Sequence, residues 1–171
     1  DWLKTLETKV VIEEINETNL KRASQLFNKT NQMNLSTRRM TETELVDWGK
    51  EKNRHIWTVC VSDKFGDSGL TGLVGIEYNG NKIQVIDFLL SCRVMGRKVE
   101  EMMLHIASEY GRSLKLKMLT ACYLATEKNH PCYAFWKKSG FEHDEKTDTF
   151  MWGLDKPYPQ PDCIQIVNRG G

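Results

Sequence analysis

The sequence predicts an α/β (α+β) domain: a mixed, mainly antiparallel sheet flanked by helices, with one parallel strand–helix–strand crossover. Three observations lead there. Three strand-like runs follow one another from residue 56 to residue 90, the last two joined by Asn79-Gly80, the strongest two-residue hairpin signal in the chain. A helix-period stripe, Val99, Met102, Met103, Ile106 and Tyr110, then separates the third run from another strand-like run. Strand, helix, strand implies a right-handed parallel crossover, and the whole implies one layer of sheet with covering helices.

The elements follow in order. Trp2, Leu3 and Leu6 read as the last turn of a helix, so residues 1–7 are expected to end an interdomain linker helix. The domain proper is expected over 8–155, and a Pro-containing tail over 156–171. TKVVIEEI, 8–15, is a strand. Asn16 is placed to cap a helix whose Leu20, Ala23, Leu26 and Phe27 share a face. Residues 28–40, NKTNQMNLSTRRM, have no clear period and read as an ordered loop anchored by Met33 and Leu35. Thr41 and Glu44 have capping-box spacing ahead of Leu45 and Trp48. The strands IWTVCVSD (56–63), GLTGLVGIEY (69–78) and KIQVIDFLL (82–90) come next, the first two separated by a turn at Gly66-Asp67-Ser68-Gly69. Gly111 reads as the stop for the long helix. LKLKMLTACYLA (114–125) is the crossover strand, 131–138 a short helix ended by Gly140, and DTFMWGL (148–154) the last strand. Pro157, Pro159 and Pro161 mark an extended tail.

Composition narrows the function classes. At 171 residues the chain suggests one domain with a core of its own. A net charge of +1 with both signs interspersed argues against nucleic acid as partner. Five cysteines without a CxxC pair read as reduced thiols, with no metal site and a cytoplasmic location. No run is apolar enough for a membrane span and no signal peptide is recognisable. Sequons at Asn16, Asn28 and Asn34 are therefore read as chance.

The chemistry concentrates at SCRVMGRKVE, 91–100, where a strand gives way to a helix through one glycine among three cations. The first amides of a helix lack internal partners, and the dipole adds about half a positive charge, so a phosphate is the natural ligand. Gly96 lets a phosphate oxygen approach the backbone, with Arg93, Arg97 and Lys98 around it. The other reading is a solvated helix start bearing surface charges.

Arg93-x-x-Gly96-x-Lys98 resembles the pyrophosphate loop of GNAT-type N-acetyltransferases, Gln/Arg-x-x-Gly-x-Gly/Ala, which lies between a strand and a helix and holds the diphosphate of acyl-CoA. Residues 129–141, NHPCYAFWKKSGF, are similar to that family's N-x-x-A-x-x-F-Y-x-K-x-G-F segment, and the element order matches over nearly the whole chain. NKTNQMNLSTRR, DKFGDSGLTG, SCRVMGRKVE and ATEKN resemble the C-terminal half of FkbH-like proteins. Those proteins join a haloacid-dehalogenase (HAD) phosphatase domain to an acetyltransferase-like domain and are associated with loading a glyceryl unit onto an acyl carrier protein. Lys98 stands where the family loop ends in a small residue. Trp136 stands where many acetyltransferases carry a tyrosine acid, and an indole cannot supply that proton.

The resemblance implies an acyltransferase that binds acyl-CoA or a carrier protein's phosphopantetheine arm and moves an acyl, or glyceryl, group. The alternative is a non-catalytic carrier-protein docking module for a partner phosphatase domain. Expected partners are an acyl carrier protein or a CoA thioester and an N-terminal phosphatase domain. The loop residues Leu90, Arg93, Val94, Met95, Gly96, Arg97 and Lys98 would hold the cofactor, with Asn129 on the pantetheine; Asn129 also reads as a helix cap. Three residues are candidates for chemistry. Cys92 is a thiolate favoured by Arg93 or a small buried apolar residue. Cys132 follows Pro131 at a helix start, which lowers a thiol pKa. Asp87 sits inside an apolar strand as a base of raised pKa or as a solvent-side residue. In 28–40, Asn28, Asn31 and Asn34, with Arg38 and Arg39, are candidate acceptor ligands; equally, these side chains could bond the loop's own backbone. His105 and His143 read as surface residues, His130 as a cap or site residue, and Met33, Met102 and Met103 as core.

Overall fold

The computed structural model describes residues 1–169. Helix α1 (Trp2–Thr5) leads into β1 (Thr8–Glu14), α2 (Leu20–Lys29), a two-residue β2 (Met33–Asn34) and α3 (Glu42–Trp48). The strands β3 (Arg54–Asp63), β4 (Gly66–Asn79) and β5 (Lys82–Leu90) follow. A 3-10 turn at Cys92–Val94 precedes α4 (Val99–Ser113), β6 (Met118–Cys122), α5 (His130–Lys138), β7 (Glu142–Asp144), β8 (Thr149–Gly153) and β9 (Ile164–Arg169). The strands form one sheet in the order β7-β8-β6-β5-β4-β3-β1-β9, with β2 paired to β5. The predicted crossover is present: β5 and β6 are parallel. A second parallel pair, β1 with β9, comes from the tail, which the prolines had marked only as extended.

Alternation along the strands makes two cores. On β4, Leu73 joins Ala23, Leu26, Phe27, Met40 and Leu45 beneath α2 and α3. Its neighbours Val74 and Ile76 join Val99, Met102, Met103, Ala107 and Trp136 beneath α4 and α5. Met33, Met102 and Met103 are core, as expected. The α3 capping box is complete: Glu44 N–H donates to Thr41 Oγ1 at 3.1 Å, and Thr41 N–H to Glu44 Oε1 at 3.0 Å. Asn16 is not the residue flanking α2. Its Oδ1 accepts from the amides of Thr18 and Asn19 and shapes the loop before the helix.

Three other boundaries differ from the sequence expectation. The β3–β4 turn is at Lys64-Phe65, because Asp63 pairs with Gly66; Gly66–Gly69 lies inside β4, where the register shifts. Gly111 does not end α4 but lies within it. A Cβ there would meet Leu154 Cδ1 at 2.9 Å and Ile83 Cγ2 at 3.0 Å, so this glycine lets the helix press onto the sheet. The crossover strand shortens to Met118–Cys122 because residues 114–117 turn the chain out of α4, with Lys115 at φ +60°.

Candidate functional site

β5 and β6 run side by side only from Lys82–Met118 to Val85–Ala121. Beyond that point β5 carries an extra residue: Ile76 opposes Val85 and Gly75 opposes Asp87, which leaves Ile86 as a bulge. The two parallel strands part, and the wedge between them is filled by the chain itself. Met33 and Asn34 pair antiparallel with Leu90 and Leu89. Leu35 N–H donates to Phe88 O at 3.2 Å, and Leu35 C=O accepts from Leu124 N–H at 3.1 Å. Met33, Asn34 and Leu35 are wholly buried, so the loop predicted over 28–40 is an inserted strand at its centre.

Asn129 fixes this insertion. Its Nδ2 donates to Asn34 O at 3.0 Å and Leu124 O at 2.8 Å, while Oδ1 accepts from Tyr123 Oη at 2.7 Å and Thr126 N–H at 2.8 Å. Both donors and both acceptor positions of the amide are used inside the protein. Asn129 is therefore not free to hold a pantetheine arm, and its side chain does not cap α5 either.

Cys132, one turn into α5, is also buried. Burial pushes its thiol up to about 12, opposite to the lowered value its place at a helix start suggested, so it is no thiolate nucleophile. Trp136, four residues on, is equally buried, and its indole Nε1–H makes no regular hydrogen bond, with only the Cys132 thiol near it. Asp87 is fully buried, not solvent-side. Arg38 grips it through Nε at 2.9 Å and 3.1 Å and through Nη2 at 2.5 Å, and Ser36 Oγ donates at 3.1 Å. Burial pushes the Asp87 carboxyl up, with Arg38 and Ser36 pulling it down. A carboxylate held on both oxygens is a structural ion pair, and the base role expected of it is not supported by this geometry.

The rest of the amide-rich stretch also serves the backbone. Arg38 stacks on Trp48 at 4.7 Å. Arg39 donates to Phe27 O, to Thr30 O at 3.1 Å and to Asn31 Oδ1 at 2.6 Å. Asn28 donates to Ser24 O at 3.0 Å and Asn34 to Thr30 O at 3.0 Å. Asn34, Arg38 and Arg39 are thus committed to the fold, while Asn28 and Asn31 each use one polar group of the amide within it. Of the two readings of this segment, bonding to its own fold is the one realised.

The glycine loop sits at the end of β5. Leu90 and Val94 turn into the core and Met95 is half-buried, so their side chains are structural. Gly96 is exposed at φ +79°, with nothing within 4 Å of where a Cβ would stand. Its N–H, however, donates to Glu100 Oε2 at 2.9 Å. Glu100 is buried, its other oxygen has no partner, and burial pushes its carboxyl up. The anion at this helix start is thus a carboxylate of the chain itself. Arg97 pairs with Asp63 at 2.7 Å and Lys98 with Glu101 at 2.9 Å, while Arg93 reaches Ser68 O at 3.3 Å. Two of the three expected phosphate cations are already ion-paired. Cys92 is exposed beside Arg93, which removes the buried-apolar reading.

Sequence reasoning missed Glu100. A carboxylate in the first turn of a helix is common for dipole reasons, so nothing in the pattern singled it out. His143 is not a surface residue: its ring stacks on Phe150 at 4.4 Å and Nε2 lies 3.0 Å from Asp148 Oδ1. His105 is half-buried, its Nδ1 2.7 Å from Tyr158 O, and His130 is exposed. Among the described residues no group of three or more His, Cys, Asp or Glu could hold a metal ion. No helix among the described residues is long and apolar enough to cross a membrane.

No family model matches the sequence, and no curated protein matches it. Solved structures do. Spermidine N-acetyltransferase from Vibrio cholerae, in complex with CoA and spermine, superposes with a TM-score of 0.65 at 14% identity over 86% of this chain and 96% of that one. An acetyltransferase of the GNAT family from Staphylococcus aureus Mu50 gives 0.63 at 10% identity over 85% and 99%. A domain from Methanocaldococcus jannaschii gives 0.65 at 14% identity over 85% and 99%. The fold is that of the GNAT acetyltransferases.

Proposed function

We propose that this domain is an acyltransferase for pantetheine thioesters, in which the thioester arm takes the place of Met33–Leu35 in the wedge. The observation that carries this reading is the hydrogen bonding of Leu35. Its N–H and C=O bridge Phe88 O on β5 and Leu124 N–H beyond β6. A pantetheine arm is an extended chain with a pair of secondary amides, and such an amide has the donor and acceptor this gap requires. The wedge is thus built for an extended amide, and the chain's own segment is the one seated in it. Gly96, open at φ +79° at the start of α4, would be the backbone contact for the arm's phosphate, with Glu100 competing for its N–H.

With Cys132 buried and Asp87 locked, transfer would run directly from thioester to acceptor, or through Cys92. In the second route the Cys92 thiolate attacks the thioester carbonyl, a new thioester forms at Sγ, and the pantetheine thiolate leaves and takes up a proton. The chain's membership of an FkbH-like fusion, a glyceryl acyl group and a carrier protein as thioester donor remain part of this proposal, carried by the sequence motifs.

The test is amide hydrogen exchange at Leu35 and Leu124 during titration with acetyl-CoA and with an acyl-loaded carrier protein, alongside an assay for released thiol. Loss of Leu35 protection on binding, with thiol release, supports transfer. Thiol release lost in Cys92→Ala assigns the covalent route. A second reading, a docking module without turnover, is favoured by the saturation of Asn129. It predicts carrier-protein binding with Leu35 protection intact. Absence of binding to either thioester at low salt overturns both.

A further inference from the structure

A second recess lies between α2, residues 30–32 and the loop that ends β5, with a volume of about 600 Å³. It opens among the side chains of Arg22, Lys29, Arg93 and Lys128 over apolar contributions from Leu26 and Leu90. No Asp or Glu among the described residues lines it. Arg22, Lys29 and Lys128 make no side-chain hydrogen bond or ion pair among the described residues, unlike Arg97 and Lys98, so their charge is uncompensated. Gathering four cations around one concavity costs Coulomb energy that a bound anion would offset.

The C-terminal end of α2 borders this recess, and its carbonyls would ordinarily repel an anion. Arg39 removes that obstacle by donating to Phe27 O and Thr30 O. The stretch rich in amides that the sequence singled out thus contributes in an indirect way: it neutralises the helix end beside the cationic recess.

We propose that this recess binds a phosphorylated small molecule, through Arg22, Lys29, Arg93 and Lys128. Its concavity favours a small ligand over a flat macromolecular surface. Three cations without a partner, with Arg93 beside them, favour a multiply charged phosphate over a single carboxylate. The site is separate from the Gly96 amide: the recess does not include Gly96, and Gly96 faces Glu100. It does not rest on the wedge reading.

The experiment is an NMR titration of the full chain with inorganic pyrophosphate at low salt, with acetate and poly-glutamate as comparison probes. The expected result is saturable shifts at residues 30–32 and 91–93 with pyrophosphate, weaker with acetate. Lys29→Gln/Lys128→Gln, a variant of exposed side chains, should weaken binding by about tenfold or more, while Gly96 and Lys98 resonances respond as in the parent. Shifts confined to 96–98 and insensitive to that variant would overturn the proposal. So would saturable binding of poly-glutamate without pyrophosphate binding, or no saturable shift at millimolar pyrophosphate.

Discussion

Asn129 and Asn34, 95 residues apart in the chain, are joined by a 3.0 Å hydrogen bond from the Asn129 side chain to the Asn34 carbonyl. That bond ties the inserted strand to the turn before α5. Asn129→Ala strands the carbonyls of Asn34 and Leu124 and leaves Tyr123 Oη only the longer bond to the Asn129 backbone carbonyl. We expect a loss of about 3 kcal/mol in urea denaturation, from buried polar groups left without partners. Exchange at Leu35 and Leu124 should accelerate by more than the global loss accounts for, because the wedge opens locally first. Uniform acceleration across the sheet would show that the insertion has no independent opening.

Glu100 occupies the Gly96 amide that a bound phosphate would otherwise use. Its carboxylate bonds Gly96 N–H with one oxygen, and the other has no partner. Replacing it by Gln keeps an acceptor for Gly96 and removes a negative charge from the place a phosphate would approach. Across a few ångströms at intermediate dielectric such repulsion amounts to about 1–3 kcal/mol. Glu100→Gln should therefore tighten CoA binding by about tenfold in calorimetry. Because burial raises the Glu100 pKa, its ionised form is disfavoured in the fold, so the same variant should be no less stable than the parent at neutral pH. Weaker CoA binding in the variant would assign Glu100 an attractive role and remove the loop from the reading.

Much of this architecture is legible in the sequence because local signals agree with tertiary demands. The β5 boundaries, the α4 stripe and the Thr41 box each follow from period or capping chemistry that packing only reinforces. The site is less legible for a physical reason. Asn34, Asp87, Asn129 and Cys132 have the composition of ligands, and what decides the role of Asp87 and of Asn129 is a distant partner, Arg38 at 49 positions for Asp87 and Asn34 at 95 positions for Asn129. Non-local pairing leaves no periodic trace. Met33–Leu35 illustrates the point: two or three residues are too few to show alternation, so a strand that closes the wedge reads as a loop. Gly111 misleads in the other direction, since a glycine near a helix end resembles a cap although here Leu154 and Ile83 require it.

Arg38 and Asp87 should behave as a unit. Arg38→Ala leaves a buried carboxylate with only Ser36 as donor, and a loss of about 3–5 kcal/mol is expected at neutral pH. Without Arg38 the Asp87 carboxyl rises further above its ordinary value. The folded variant then binds more protons than the unfolded chain, so its stability should fall as pH rises above the carboxylate range and recover toward acid. Asp87→Asn in the same chain should restore part of the loss. A double variant whose loss equals the sum of the single losses would mean the pair is not coupled.

Tyr158 ties the C-terminal segment to the helices and gives the fold a weakness to alkali. Its phenol donates to Ser139 O at 2.6 Å, its N–H to Ser108 Oγ at 3.2 Å, and its carbonyl meets His105. Burial, assisted by Glu101, pushes the phenol from 10 up to about 12. The folded state keeps the proton that the unfolded chain releases, so the stabilisation is complete below pH 10 and is lost as pH rises through about 12. The buried Cys132 thiol acts in the same sense from its ordinary 9 up to about 12, so Cys132→Ala is the background in which to isolate the tyrosine. In that background Tyr158→Phe should cost about 1 kcal/mol at neutral pH, from the unpaired Ser139 carbonyl, and should flatten the decline in stability above pH 10. An unchanged alkaline slope in Tyr158→Phe would place the titrating group elsewhere.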